Sequence, residues 1–454
     1  MDEVNLVMNI YDHPFQDLFG TLDNHQYPPP GFLIIIKVFS ALFGFSEYAL
    51  RLYPFLCGIV ALWLFYKVLK EYVSLPVLLY PLSILALGFI YIRYSAVVKQ
   101  YSMDMVVVQS LILLAIKWDV ADLSQRRFSA WWIVVGMLAI WSSMPSVFVL
   151  AAIWTYYFLT IYKSREYKKI FYLALIGAAW LLNFWVYYET MLLQQIESGY
   201  LQFTTRRFRL NVTTLNPEHW KHNWLLIKDL LVELGGDKTL SIIFHIAMAF
   251  LGGIYLFRNS ARKAILLAMP VALCFLAVCL GKYTMMVRVW LFTFPLMLAL
   301  IGVGIQVLAQ QRGRLVKIVA FTCCLICTVN VTDFKTLAVR TESEEITRNM
   351  DYALKWNITS ENLYVQWSAR YAFRYYTTAH PRRDQWNAIK DATVFTGFVN
   401  FDSLSATFKG RTAVLFGGEE WDLFVSQLDE INKNAKELAR NNVPVGWIFI
   451  YDKK

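Results

Sequence analysis

Ionisable side chains are scarce in this sequence. Asp, Glu, Lys and Arg make up 17% of its 454 residues against 57% apolar, and the mean hydropathy is +0.43. A water-soluble chain of this size carries more charge, so that class is excluded. Cysteine is sparse as well, and all six (Cys57, Cys274, Cys279, Cys323, Cys324, Cys327) fall inside apolar segments. The CxxC spacing within "CCLIC" therefore reads as small core residues rather than as a metal site or a disulfide. Internal repeats are missing, and "LFGG" lacks the spaced glycines of a phosphate-binding loop. Acidic residues are outnumbered, 33 to 43, for a net charge of +10. Much of that excess lies in short loops between apolar blocks, which argues against nucleic acid as a partner.

What is present is a series of apolar blocks of roughly 17–25 residues, the length that crosses a hydrocarbon core as helix. Lipid offers no partner for backbone polar groups, so such blocks must be helical. The blocks lie at 47–69, 74–95, 103–118, 130–143, 145–162, 170–188, 239–256, 264–281, 289–309 and 315–332. The expected fold is an all-α multi-pass membrane protein of about ten spans. Basic residues alternate between loops: Lys67 and Lys70, Arg126 and Arg127, Lys163 to Lys169, Arg258 to Lys263, and Arg312 to Lys317. These loops share the cytoplasmic side by the positive-inside rule. Residues 1–46 then form an extracytoplasmic loop, 47–332 the transmembrane domain with a large outer loop at 189–238, and 333–454 a small extracytoplasmic α/β domain.

The chain begins Met1–Asp2–Glu3, an acidic doublet on the outer side with no apolar segment ahead of it. The expectation is that the natural protein carries one more helix before Met1. From the residues alone the doublet reads as solvated surface. In "HQYPPPGFLIIIKVFSALFGFSE" the prolines fix φ and end one segment before a helix opens at Gly31. That helix is too short to span and is expected along the interface, with Arg51 near the outer end of the first span. In the 189–238 loop, Trp220, Trp224, Ile227, Leu231 and Leu234 recur at helical spacing with Lys228, Asp229 and Glu233 opposite. The pattern fits an interfacial amphipathic helix or a plain packing helix equally.

Bases that break the charge rule stand out further along. "RYSAVVKQYSMDM" places Arg93, Lys99, Tyr101 and Asp104 at an outer connection, and "GKYTMMVRVW" places Lys282 and Arg288 at the start of a span. Charge inside a bilayer is costly, so such residues reach the interface or serve a site. Cations gathered beside acids on the outer face suggest an anionic ligand there. In the C-terminal region "ENLYVQWSARYAFRYYTTAH" reads as strand then helix, "RTAVLFGGEEWDLFVSQLDEINKNAKELARNN" as strand, turn and amphipathic helix, and "GWIFIYD" as a buried strand.

The order of these features, the doublet, the proline segment, "FGFSEYALRL" leading into a span and then "KQYSMD", resembles the glycosyltransferase C superfamily. The likeness is to its protein O-mannosyltransferase and aminoarabinose transferase branch. It implies an inverting transfer of a hexosyl or pentosyl group from a polyprenyl-phosphate donor to a glycan, lipid or protein hydroxyl outside the cytoplasm, in the plasma (inner) membrane. Asp2 would be the general base and Glu3 would position the acceptor or Asp2. Lys99 and Arg288 would hold the lipid phosphate, with Arg93 and Lys282 behind them and Tyr101, Asp104 and Arg51 in support. Relatives often carry a basic residue or His against the paired prolines; here Tyr27 precedes Pro28, and His25 is the nearest titratable group. Some relatives bind a divalent metal, for which His219 and His222 are too sparse a set. A transporter or flippase of an anionic or lipid-linked substrate is the leading alternative, which no internal repeat supports, and a membrane scaffold is the third, which leaves the outer bases unexplained.

Overall fold

The computed structural model describes residues 2–20, 22–118, 120–162, 166–193, 207–212, 216–311, 313–332, 346–395, 401–417, 428, 431–443 and 446–454. The chain opens on a helix, α1 (Asp2–Asp12), within a stretch expected as loop. Leu6, Val7, Met8 and Ile10 of α1 are buried. They pack on α2 (Pro30–Phe43), whose first residue is a proline, as the fixed φ favours. Leu42 and Phe43 of α2 stay exposed. Next comes α3 (Glu47–Leu69), started by Ser46, whose hydroxyl accepts from the Ala49 amide at 3.2 Å.

The expected span at 74–95 is two helices, α4 (Leu75–Leu87) and α5 (Phe89–Ser95), meeting at 53°. Gly88 adopts φ −65° and ψ 125°, which ends the helical run there. The bundle continues through α6 (Tyr101–Lys117), α7 (Arg126–Ser142), α8 (Ser146–Ile161) and α9 (Tyr167–Tyr187). Then follow α10 (Pro217–Gly235), α11 (Thr239–Cys279), α12 (Val287–Ala309) and α13 (Arg314–Val331).

The span count differs from the sequence reading. Among the described residues five helices are long and apolar enough to cross a membrane, or six with the bent α4–α5 pair. Two expected spans merge into the 41-residue α11, broken only at Ser260. Helices α6, α7 and α8, of 17, 17 and 16 residues, fall just short of the usual crossing length.

Helices α11 and α12 cross in backbone contact. A Cβ added at Gly252 would lie 2.0 Å from the Leu300 carbonyl oxygen, and one at Gly304 would lie 2.1 Å from that of Met248. Small residues at both positions are the condition for this approach. The core around it is dominated by α12, whose Trp290, Leu291, Phe292, Phe294 and Leu298 are all at most 1% exposed.

The C-terminal domain carries α14 (Ile346–Lys355), a five-stranded sheet and α15 (Arg370–Arg374), which runs on into a π-helical turn, Tyr375–Ala379. Its strands are β1 (Leu363–Gln366), β2 (Thr393–Phe395), β3 (Thr412–Gly417), β4 (Ala435–Val443) and β5 (Gly446–Lys453). The order is β2-β1-β3-β5-β4, with β1 parallel to β2 and β3 and with β5 antiparallel to β3 and β4. "AKELARNN" was expected as helix and is an edge strand instead. Pairing with the apolar β5 overrides the local helix preference of Ala, Lys, Glu and Arg.

Candidate functional site

Helix α1 brings the acidic doublet against the bundle. The Glu3 carboxylate takes a bidentate pair from Arg51, Nε to Oε1 at 2.8 Å and Nη2 to Oε2 at 2.9 Å. The same Oε1 accepts from the Val98 amide at 2.9 Å. Two parallel N–H bonds on one carboxylate fix its orientation as well as its charge. Lys99, one residue on, donates from Nζ to Gln26 Oε1 at 2.7 Å, so it sits beside the turn leading into the prolines. Glu3, Arg51 and Lys99, from three separate stretches of sequence, therefore share one rim. Glu3 differs from the sequence expectation in one respect: its oxygens are engaged by Arg51 and the Val98 amide, so it orders the rim. Asp2 opens α1, but its side chain lies outside the described residues, as does that of His25.

The far end of α1 is equally held. Lys37 donates to the Ile10 carbonyl at 2.7 Å and to that of His13, closing the last turn where a cation favours the helix dipole. Asn9 donates to the Asp23 carbonyl at 3.1 Å and accepts from its amide at 2.7 Å.

A second cluster holds the other bases. Arg93 is exposed on α5 with its guanidinium 5.9 Å from the centre of the Tyr94 ring, and the charge of Arg288, half-buried at the head of α12, reaches the same tyrosine. The Tyr94 ring meets that of Tyr101 edge-on at 5.0 Å, which joins this cluster to the start of α6 near Lys99. Glu233 of α10 is exposed, and its charge and that of Arg93 act on one another. The loop between α11 and α12 is braced by Tyr283 donating to the Val289 carbonyl at 3.0 Å and by the Trp290 indole donating to that of Thr284 at 2.9 Å. Lys282 projects from it. Beside Lys282, Gly281 has φ +67°, and the Arg209 guanidinium lies 3.1 Å from where its Cβ would stand. Arg209 and Lys282 are thus neighbours; Arg206 lies outside the described residues.

Asp104 lies one turn into α6, buried next to Ser143, and its Oδ1 has no hydrogen-bond partner among the described residues. Between α3, α4 and α5 runs an apolar groove of about 150 Å³, lined by Phe55, Ile59, Leu62, Leu85, Ile92 and Ser95 among others. Helix α10 turns Leu226, Leu230 and Leu234 inward, while Trp220 and Trp224 are more than half exposed. The buried face is therefore offset from the tryptophan stripe read from the sequence. No three His, Cys, Asp or Glu side chains converge as a metal requires, among the described residues.

Sequence reasoning missed Gln26, Glu47, Glu233 and the Val98 amide. Glu47 lay inside a quoted motif, but only the folded chain reveals its partners.

No family model matches the chain, and no curated protein matches it by sequence. Solved structures do. ArnT from Cupriavidus metallidurans in the apo state aligns over 99% of this chain and 93% of its own, with a TM-score of 0.54 at 12% identity. The same protein bound to undecaprenyl phosphate aligns over the same shares, at 0.52 and 13%. An oligosaccharyltransferase from Archaeoglobus fulgidus, tethered with an acceptor peptide, aligns over 100% of this chain and 69% of its own, at 0.48 and 11%. The chain thus shares its fold with ArnT.

Proposed function

We propose that this chain is a membrane glycosyltransferase that moves a sugar from a polyprenyl-phosphate donor to an extracytoplasmic acceptor hydroxyl with inversion. The observation that carries the reading is the near-full-length likeness to ArnT, one of whose structures holds undecaprenyl phosphate. The presence of Arg93, Arg288 and Lys99 around Tyr94 and Tyr101, together with an apolar groove between α3, α4 and α5, supports it from this chain's own residues. A prenyl chain suits the groove, and its phosphate suits the cations.

In this reading the acceptor oxygen attacks the anomeric carbon from the face opposite the phosphate. The carbon–oxygen bond to phosphate breaks as the new glycosidic bond forms, and the acceptor proton passes to the Asp2 carboxylate. A positioned base contributes about 10²–10⁴-fold to such a step. The leaving polyprenyl phosphate gains charge as the bond breaks. Lys99 and Arg288 meet that charge, with Arg93 and Lys282 behind them, because fixed cations act most strongly where charge develops. Glu3 keeps Arg51 and the Val98–Lys99 turn in register. The sugar and the acceptor, whether glycan, lipid or protein, are set by contacts beyond these.

The test is transfer from a radiolabelled polyprenyl-phosphate sugar in membranes containing the full chain. Asp2→Asn should lower the rate by at least about 10²-fold. Unchanged transfer in that variant overturns the assignment of the base. Cells lacking the protein should accumulate the lipid-linked sugar in mass spectra of their lipids; a lipid profile identical to that of the parent removes the transferase reading and leaves the transporter.

A further inference from the structure

The C-terminal domain grips the first 47 residues through a short segment, residues 371–380. From α15 and its π-turn, Arg374 makes a bidentate pair with Asp12 at 2.8 and 2.9 Å, and Tyr371 donates to Asn24. Tyr375 donates to the Phe45 carbonyl at 2.6 Å, Tyr376 donates to Glu47 Oε1 at 2.9 Å, and His380 Nε2 lies 3.0 Å from Glu47 Oε2. Tyr375 and Ala379 also complete the apolar cluster built by Leu6, Val7, Ile10, Phe32 and Leu50.

The tautomer of His380 follows from its neighbours. Its Nδ1 accepts from the Arg382 amide at 3.2 Å, so the ring proton sits on Nε2 and is donated to Glu47. His380 is 3% exposed, a setting in which a ring is held in one orientation. Glu47 therefore receives two donors, one on each oxygen, and both come from the C-terminal domain.

Glu47 stands four residues before Arg51 on α3, on the same face of the helix, and its charge acts on that guanidinium. Arg51 in turn holds Glu3, and Glu3 holds the Val98 amide beside Lys99. Polar contacts thus run from His380 and Tyr376 to Glu47 and from Arg51 through Glu3 to the rim, and the two sets are joined by the charge of Glu47 acting on Arg51 one helical turn away.

We propose that His380 and Tyr376 are positioning residues for sugar transfer, acting through Glu47 and Arg51 to set Glu3, the start of α1 and the Val98–Lys99 turn. This rests on the transferase reading above. Neither residue touches the reacting groups. Their effect is to fix where the carboxylates of α1 stand relative to Lys99, and misplacement of about 1 Å can cost roughly 10²-fold in rate.

The experiment uses the full chain in lipid nanodiscs with a radiolabelled polyprenyl-phosphate sugar, comparing His380→Ala, His380→Gln, Tyr376→Phe and the double variant His380→Ala/Tyr376→Phe. The double variant should lose about 10–100-fold in kcat with donor KM changed less than about threefold. His380→Gln, which keeps a donor at that reach, should recover most of the rate. Hydrogen exchange at residues 5–10 and at the Val98 amide should speed up in the double variant and return to wild-type rates with His380→Gln. Unchanged kcat together with unchanged exchange overturns the proposal. A rise in donor KM at constant kcat does so as well, because it would place the effect on donor binding. The exchange measurement needs no turnover: a wild-type chain that transfers no sugar, with faster exchange still present in the double variant, would refute the transferase reading and leave the mechanical coupling standing.

Discussion

Helices α12 and α13 are neighbours in sequence, both apolar and both opened by basic residues, yet they occupy opposite situations. In its most apolar stretch α12 is 72% buried within the protein, and α13 is 11% buried. Leu315, Phe321 and Leu325 of α13 lie on the outside, whereas Phe294, Leu298, Ala299 and Ile301 of α12 are fully enclosed. Hydropathy cannot separate the two, because a side chain facing lipid and one facing another helix are equally apolar. Small residues can: α12 carries Gly302 and Gly304 in the middle of its run, and α13 has no glycine between Arg314 and Val331. Close approach between helices calls for small residues, and contact with lipid does not.

Five substitutions test this contrast, in falling order of effect. Gly304→Leu drives a side chain into the Met248 carbonyl, and the chain should fail to give a monodisperse species in detergent, a destabilisation above about 4 kcal/mol. Recovery of folded protein at wild-type yield would mean that the α11–α12 contact is looser than it stands. Phe294→Ala removes a ring that is 0% exposed and should cost about 3–5 kcal/mol in denaturant-induced unfolding. Arg288→Gln, at the head of α12, should leave thermal stability unchanged and lower sugar transfer by about 10²-fold, as removal of one charge-stabilising donor does. Its counterpart Arg314→Gln at the head of α13 should leave transfer as it was; equal losses in both would detach the cation effect from the site. Phe321→Ala, on the outer face of α13, should change stability by less than about 0.5 kcal/mol.

The same contrast explains what could be read from the sequence. The bounds of α3, the proline at the start of α2, the last strand and the helix of the 189–238 loop follow from local patterns, and all are present. Breaks between helices were harder. The bend at Gly88 and the near-continuity of α11 past Ser260 depend on packing, and a run of apolar residues reads the same with or without them. Helix α1 was missed because its eleven residues carry polar groups at Asp2, Glu3, Asn5, Asn9 and Asp12 and gain their burial from distant partners, among them α2, α3, Val98, Met103 and the C-terminal domain. Strand β4 was missed for the converse reason, since its residues favour helix until β5 offers an edge.

Within the site, the residue types were legible and their partners were not. Lys99 and Arg288 stood out because cations on the outer side of a membrane chain need a reason. That Arg51 would bind Glu3, 48 residues away, or that His380 would reach Glu47, 333 residues away, has no local signal. Such pairings emerge only when the whole topology closes.

The grip of Arg374 on Asp12 joins positions 362 residues apart. At about 5–20 residues per second, a ribosome delivers the second partner roughly 20–70 s after the first. Throughout that interval the bundle can thread into lipid while the leading carboxylates lack their final tether. Birth order therefore sets the sequence of assembly: α1 waits tens of seconds for the residue that fixes its far end.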